Sequence, residues 1–198
     1  MNISKSDIVS NIRTAIDDIV PTATDSFTSD TDTELWQATQ HAVGQLLEEL
    51  PLEKLQPSVS TASSPAAQDG GSVFTIDSDF LRFVNVRLNS WAGPVSELIE
   101  RDSDEHKRQR SPWSRGTAEK PRAMLDFNAS GALVLACWPS GTKLILNYIP
   151  RASVTASTIT CALKDECLRL VIYRAASIFF EGKKEGEVAE KFRNLSSI

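Results

Sequence analysis

The stretch from Val73 to Pro150 places the tightest constraint on the fold of this chain of 198 residues. It contains short apolar segments, several of them alternating with polar residues, and turn signals at 128–131 and 139–141 separate them. Short connections of this kind join antiparallel strands, because parallel strands need a long crossover. The stretch therefore predicts a mainly antiparallel sheet built from neighbouring segments of the chain.

Helical patterns precede this stretch. Apolar residues at helical spacing predict two amphipathic helices, over about 5–20 and 33–50. Thr31 and Glu34 have the spacing of a capping box at the start of the second helix. We therefore expect a polar loop over 22–32 between the two helices.

Helical patterns also follow the strands. An apolar stripe predicts a long helix that begins at Thr158 or Thr160 and ends near Phe180. Gly182 is a typical residue for the end of such a helix. A short amphipathic helix is predicted over 187–194.

Together these patterns predict an α+β fold, a helical bundle from the N- and C-terminal helices with a central antiparallel β-rich insertion. The predicted domains are 1–54 with 151–198, which form the helical part, and 55–150, which forms the β-rich insertion. The insertion opens with 55–71, which is rich in Ser, Ala, Pro and Gly. An edge strand at Val59 to Ala62 or an exposed loop fits this composition, and we expect a flexible loop with some strand.

Composition limits the classes of function. The net charge of −5 argues against a protein whose main role is to bind nucleic acid, although an acidic wall would let DNA slide past. Neither a signal peptide nor a membrane span is predicted, so we expect a cytoplasm-like solvent. The three cysteines, Cys137, Cys161 and Cys167, are too few for a disulfide framework, and we expect free buried thiols.

Residue types that carry chemistry are sparse. His41 and His106 have no second ligand at metal-binding spacing, and Asp77 and Asp79 are typical of a β-turn. No phosphate-binding loop and no nucleophile motif is present. We therefore predict no catalytic, metal or cofactor-binding residues, and we expect that the protein is not an enzyme.

One basic cluster surrounds Trp113. Its members are Lys107, Arg108, Arg110, Arg115, Lys120 and Arg122. Such a cluster fits a contact with an acidic partner, a nucleic-acid site or a solvated surface that nearby carboxylates neutralise, and we favour the contact. Of the four tryptophans, we expect Trp91 and Trp138 in the core and the other two in exposed segments, where each is either an interface anchor or partly buried within the monomer. The candidate interface residues are Trp36, Trp113, Arg115, Lys120 and Arg122.

Four segments in this order carry a resemblance to a known family. They read DTELWQATQHAVGQLLEELP, FTIDSDFLRFVNVRLNSWAGPVSELI, RQRSPWSRGTAEKPRAML and GALVLACWPSGTKLILNYIP. From about Asp32 to Phe192 the chain resembles the head–tail connector proteins of tailed bacteriophages, also called adaptor or neck-ring proteins. Within that family it looks most like the tail tubular protein A type of short-tailed phages.

The resemblance implies a structural virion protein that forms a closed ring, commonly of twelve subunits, below the portal. Such a ring connects the capsid to the tail and extends the channel through which DNA is ejected. Its partners would be further copies of itself, the portal protein, tail or further ring proteins, and passing DNA without sequence-specific binding. The implied location is the virion neck, after assembly in the host cytoplasm, with no membrane partner and no cofactor.

Other functions fit parts of the sequence. The chain could be another phage structural or assembly part, such as a head- or tail-completion factor. It could be a cytoplasmic nucleic-acid-binding or regulatory module that uses the basic cluster. An enzyme of unrecognised type is the third alternative.

Overall fold

The computed structural model describes residues 1–20, 29–63 and 65–196. Within them, the chain is mixed α+β and all its strand pairs are antiparallel, in agreement with the predicted class. The helices are α1 (Lys5–Ile19), α2 (Ser29–Glu49), α3 (Asp104–Gln109), α4 (Leu168–Gly182) and α5 (Gly186–Ser196). Two short 3-10 turns cover Leu52–Lys54 and Asp165–Cys167.

Ten strands accompany these helices in the described residues. They are β1 (Asn2–Ser4), β2 (Ser58–Ser63), β3 (Ala66–Gln68), β4 (Gly71–Thr75), β5 (Phe80–Leu88), β6 (Arg122–Phe127), β7 (Leu133–Trp138), β8 (Lys143–Pro150), β9 (Ser153–Val154) and β10 (Thr158–Thr160). Contacts divide the chain into two units, Met1–Gln56 with Arg151–Ile198, and Pro57–Pro150. None of the helices in the described ranges has the length and apolar character that a membrane span requires.

In the first unit, α4 packs against α1, α2 and α5. The apolar stripe of α1 is buried there, because Ile8, Ile12 and Ile16 recur at helical spacing on one face. The short helix α5 is fixed to α4 by the stacked rings of Phe180 and Phe192, whose centroids are 5.7 Å apart. A buried hydrogen bond adds to this contact, because Ser177 Oγ donates to the carbonyl of Ala189 at 2.9 Å.

A small sheet in this unit differs from the prediction. The prediction of a helix start at Thr158 or Thr160 is wrong, because these residues form β10, which pairs with β1 and β9. The β-branched run Thr158–Thr160 favours extended backbone, and α4 begins only at Leu168. Cys161 therefore does not share a helix with Cys167. The expectation of free, buried cysteines is confirmed for all three.

The start of α2 also differs from the prediction. The helix begins at Ser29, so Thr31 lies inside the first turn and the capping box does not mark its end. Asp30 and Asp32 in this turn suit the positive end of the helix dipole, which explains an earlier start than the apolar pattern indicates. The rest of the predicted loop, 22–28, lies outside the described residues.

The second unit consists of two antiparallel sheets with strand orders β2-β8-β5 and β3-β4-β7-β6. Their inward side chains belong to one hydrophobic cluster, in which Phe74 and Leu135 of one sheet pack with Val86, Leu144 and Leu146 of the other. The predicted hairpin joins β6 to β7 in register from Arg122↔Trp138 to Phe127↔Leu133. This unit is therefore a two-layered β structure with a shared core.

Residues 55–71 are more regular than expected. All six residues of β2 pair with β8, from Ser58↔Tyr148 to Ser63↔Lys143, and β3 pairs with β4. The expectation of a mainly flexible loop is wrong for this segment, and its alternative, an edge strand at Val59 to Ala62, is confirmed. The small Ser and Ala side chains carry little hydrophobic signal, but they do not hinder backbone pairing.

Tyr148 links β8 to the turn that precedes β5. Its hydroxyl donates to Asp79 Oδ1 at 2.9 Å, and its ring stacks on Phe80 with centroids 5.7 Å apart. Burial, followed by the hydrogen bond to Asp79, raises the pKa of Tyr148 to about 12. The carboxylates Asp77 and Asp79 thus belong to a turn with a structural contact, as the sequence indicates.

We predict that Phe192→Ala destabilises the first unit by about 3–5 kcal/mol, because it removes a fully buried ring and leaves a cavity. Chemical denaturation followed by helical circular dichroism measures this change. The control is Leu195→Ala on the same helix, where the side chain is 46% exposed and the effect should be small. Equal losses in the two variants would contradict the packing of α5 against α4.

We predict that the stability supported by Tyr148 is lost at alkaline pH. The pKa of its phenol is raised in the folded state, so its contribution is complete below the ordinary pKa of 10.0 and disappears as pH rises through about 12. Urea denaturation across this range should show a smaller pH dependence for Tyr148→Phe than for the wild type. Equal pH dependence in both proteins would show that the phenol does not titrate in this way.

Candidate interface site

The basic cluster lies in the segment 101–122, here called the Trp113 loop, which includes the short helix α3 and ends at the first residue of β6. Ser103 caps α3, because its Oγ accepts a hydrogen bond from His106 N at 3.1 Å. Asp102 precedes this cap with a left-handed backbone (φ 63°), and its N–H donates to His106 Nδ1 at 3.0 Å. The imidazole of His106 also lies against the indole of Trp138 in β7, with centroids 6.4 Å apart.

A buried glutamine fixes the second half of the loop. Gln109 Oε1 accepts a hydrogen bond from Gly116 N at 2.8 Å, and Gln109 Nε2 donates to the carbonyl of Glu105 at 2.9 Å. Gly116 is itself confined, because a Cβ at this position would lie 2.8 Å from the carbonyl oxygen of Trp138. The side chain of Gln109 thus replaces the backbone pairing that an irregular segment lacks.

Trp113 lies at the tip of this loop and is 96% exposed. The backbone around it is ordered by two local bonds, from Ser114 Oγ to the carbonyl of Arg108 at 3.0 Å and from Arg115 N to the carbonyl of Ser111 at 3.1 Å. A large apolar ring in water therefore projects from a loop that hydrogen bonds hold in one conformation. Proteins rarely expose a tryptophan so fully without a binding role.

Arg115 connects the loop to the turn between β3 and β4. Its Nη1 donates to the carbonyl of Asp69 at 3.5 Å, a long contact. Gly70 in the same turn has a left-handed backbone (φ 72°), and a Cβ there would overlap the guanidinium of Arg115. The contact of Arg115 with this turn thus depends on glycine at position 70.

The charges of the loop are only partly neutralised. Glu105 pairs with Arg122, and Asp104 pairs with Lys107 at 3.1 Å. In the described part of the chain, by contrast, no carboxylate lies within 4.0 Å of three other exposed cations of the loop, Arg108, Arg110 and Lys120. The surface beside Trp113 is therefore basic.

The candidate interface residues separate into two groups. Trp113, Arg115, Lys120 and Arg122 all lie in the Trp113 loop, although Arg122 is engaged with Glu105. The expectation that Trp36 is exposed is wrong, because its side chain is only 5% exposed in the first unit.

The physical reason is the width of the buried face of α2. Both α1 and α4 pack against this helix, and its buried positions form adjacent pairs. These positions include 35, 36, 38, 39, 42, 43, 46 and 47. Trp36 is next to Leu35 on this face and belongs to the core, as the predicted core residues Trp91 and Trp138 also do.

The sequence did not predict two structural features of the loop. Gln109 has no distinctive sequence context, since it is one polar residue in a charged helix. The contact of Arg115 with the β3–β4 turn joins segments far apart in the chain. The neighbouring Asp69-Gly70 pair, a common turn signal, was the one available indication that a turn lies there.

Other parts of the described chain offer fewer groups that are suited to binding or catalysis. No group of three or more His, Cys, Asp or Glu side chains within residues 1–20, 29–63 and 65–196 could hold a metal ion. An open cleft of about 580 Å³ in the first unit is lined by Ser4, Lys5, Arg13 and Asp32, among others. Its Arg13 and Asp32 form an ion pair with each other.

No family model matches this chain, and no curated protein matches it either. The Trp113 loop and the order of the sequence segments are therefore the features that bear on function.

We predict that Gln109→Met loosens the Trp113 loop and destabilises the second unit by about 1–3 kcal/mol, because Gly116 N loses its acceptor in a buried place. Hydrogen exchange measured by mass spectrometry should show faster exchange over 110–116. The matched control is Gln37→Met, an exposed glutamine of α2, which should leave exchange in the loop unchanged. Unchanged exchange in both variants would contradict the role of Gln109.

Proposed function

We propose that the protein is a structural virion protein that forms a ring below the portal, connects the capsid to the tail and extends the DNA channel. In this proposal the helices from the two ends of the chain form a bundle that packs side by side around the ring. The β-rich part, inserted between them, carries the loops that contact neighbouring subunits or tail components. The ring and its partners follow the resemblance to head–tail connector proteins.

The observation that carries this proposal is the exposed Trp113 on a loop that hydrogen bonds hold in one conformation. Aromatic residues are the commonest anchors of protein interfaces, because burial of one ring removes a large apolar area from water. A loop that is already ordered loses little conformational entropy on association. Both properties favour a contact with another protein.

The distribution of charge supports contact between copies of the chain. The Trp113 loop contains seven basic and four acidic side chains, a net charge of +3, whereas the whole chain has −5. The other residues therefore carry a net charge of −8. A basic surface on one subunit that meets an acidic surface on the next is a heterologous contact, and heterologous contacts can close a ring.

No catalytic role is part of the proposal. The Asp104–Lys107 and Glu105–Arg122 pairs place acidic and basic groups of the loop against each other on the surface. The sequence also lacks the nucleophile and phosphate-binding motifs of common enzyme classes. A structural role accounts for these features without a substrate.

We predict that native mass spectrometry of the protein mixed with the portal protein of the same virus detects a closed ring of fixed stoichiometry. Trp113→Ala with Arg115→Ala should prevent this ring, because loss of an anchor tryptophan alone costs about 2 kcal/mol or more at each contact. The control is Phe127→Ala, which changes another exposed aromatic of the same unit, 61% exposed, outside the loop. Ring formation by the double variant would contradict the role of the Trp113 loop, and failure of the wild type to bind the portal would contradict the connector function.

A nucleic-acid-binding module is the second candidate, because cations around an exposed aromatic ring also suit a single-stranded nucleic acid. In that case the purified protein would bind DNA with an affinity that falls steeply with salt. The double variant Trp113→Ala with Arg115→Ala would abolish this DNA binding. The portal protein would then have no effect on the oligomeric state of the wild type. Binding assays at two salt concentrations thus separate the two candidates.

A further inference from the structure

The sheet β2-β8-β5 has an open edge at β2. Each of the six residues of β2 pairs with β8 on one side. On the other side, no backbone hydrogen bond joins residues 58–63 to any other described part of the chain. A row of N–H and C=O groups along β2 is therefore available to a further strand.

The β2 edge lacks the features by which proteins usually prevent an edge strand from pairing with another chain. The sequence of β2, Ser-Val-Ser-Thr-Ala-Ser, contains no charge and no proline, and its pairing with β8 has no bulge. The opposite edge of the same sheet is different. There, β5 has two register shifts, and Val86 exchanges backbone hydrogen bonds of 2.9 and 2.8 Å with Val95.

The other edge strands of the described residues are shorter, charged or occupied. β3 and β1 have three residues each, and β9 has two. β6 carries Arg122 and Asp126, and Ile99 N donates to its Ala123 carbonyl at 2.9 Å. β2 is thus the edge that combines an ordinary strand length with an uncharged, unprotected backbone.

Side-chain exposure along β2 agrees with an open edge. Val59 is 63% exposed, and Thr61 and Ser63 on the same face are also exposed. On the opposite face, Ser58, Ser60 and Ala62 are only half-buried, although Ala62 packs against the core. A further strand beside β2 would cover part of the side chains on both faces of this strand.

We propose that this edge binds β2 of a second copy of the chain in antiparallel orientation, so that two sheets become one. The second copy is the occupant because its β2 is the matching edge in length and charge, and no like charges would face each other. The two-fold axis passes through Ser60, which places Val59 opposite Thr61 of the second copy. This register keeps exposed side chains on one face and half-buried side chains on the other.

The pair is a contact of a different kind from the one under Proposed function, and the inference does not depend on that function. A β2 pair is isologous, since the same strand serves both copies, whereas a cyclic ring needs heterologous contacts. Trp113→Ala with Arg115→Ala should therefore leave the β2 pair intact. Conversely, failure of the β2 pair would not affect the ring.

The test uses sedimentation of the full chain and two charge variants of the edge. Wild type should sediment as a dimer, whereas Val59→Lys with Thr61→Lys should be monomeric, because four cations would meet across the two-fold axis. Val59→Glu with Thr61→Glu should be monomeric for the same reason. A mixture of the two variants should form a one-to-one heterodimer, because each lysine then faces a glutamate in the proposed register.

Each other outcome would overturn the proposal. A monomeric wild type would show that the β2 pair does not form. A dimeric lysine variant would show that the contact lies elsewhere on the chain. A mixture that stays monomeric would contradict the register in which residue 59 faces residue 61. The matched control is Ala129→Lys with Ala156→Lys, two exposed alanines outside β2, which should remain dimeric. Circular dichroism of all variants should match the wild type, because the substituted side chains are exposed.

Discussion

The second unit depends on the position of β8 between β2 and β5. This strand is paired along both edges, and its inward residues Leu144, Leu146 and Tyr148 contribute to the core that the two sheets share. Backbone pairing and burial therefore act together on the same residues, so that neither β2 nor β5 has a sheet to join without β8. The open edge of β2 is a direct consequence, because β8 uses only one side of that strand.

The Trp113 loop illustrates how side-chain hydrogen bonds can satisfy the backbone of an irregular segment. Its backbone groups are satisfied by the side chains of Ser103, Gln109 and Ser114, each at about the distance of an ordinary hydrogen bond. The charged side chains remain outside this network. The loop can therefore present Trp113 to a partner without reorganisation, which is the condition under which an exposed aromatic contributes most to affinity.

Sequence patterns were informative where the signal is local. The apolar stripes of α1 and α5 and the hairpin at 128–131 follow from residue spacing and turn chemistry. Sequence patterns failed where a partner strand far away in the chain decides the conformation. Thr158–Thr160 becomes a strand because β1 pairs with it, and Ser58–Ser63 because β8 does, and the local pattern does not indicate either partner.

The burial of Trp36 also depends on partners, since two helices rather than one cover α2. For the candidate site, the sequence placed the basic cluster and Trp113 in one segment, and Trp113 is exposed as expected. The two hydrogen bonds of the Gln109 side chain could not be predicted from the sequence, because they require the positions of Glu105 and Gly116 in space. The ring, the portal and the other partners stay predictions.

The pairing of β2 with β8 also sets an order of events during synthesis. β2 ends at Ser63, but the strand that completes it begins at Lys143. At about 5–20 residues per second, the ribosome needs on the order of ten seconds to supply that partner. During this interval both edges of β2 lack a partner strand, so a neighbouring nascent chain on the same messenger RNA meets an uncharged strand with two open sides.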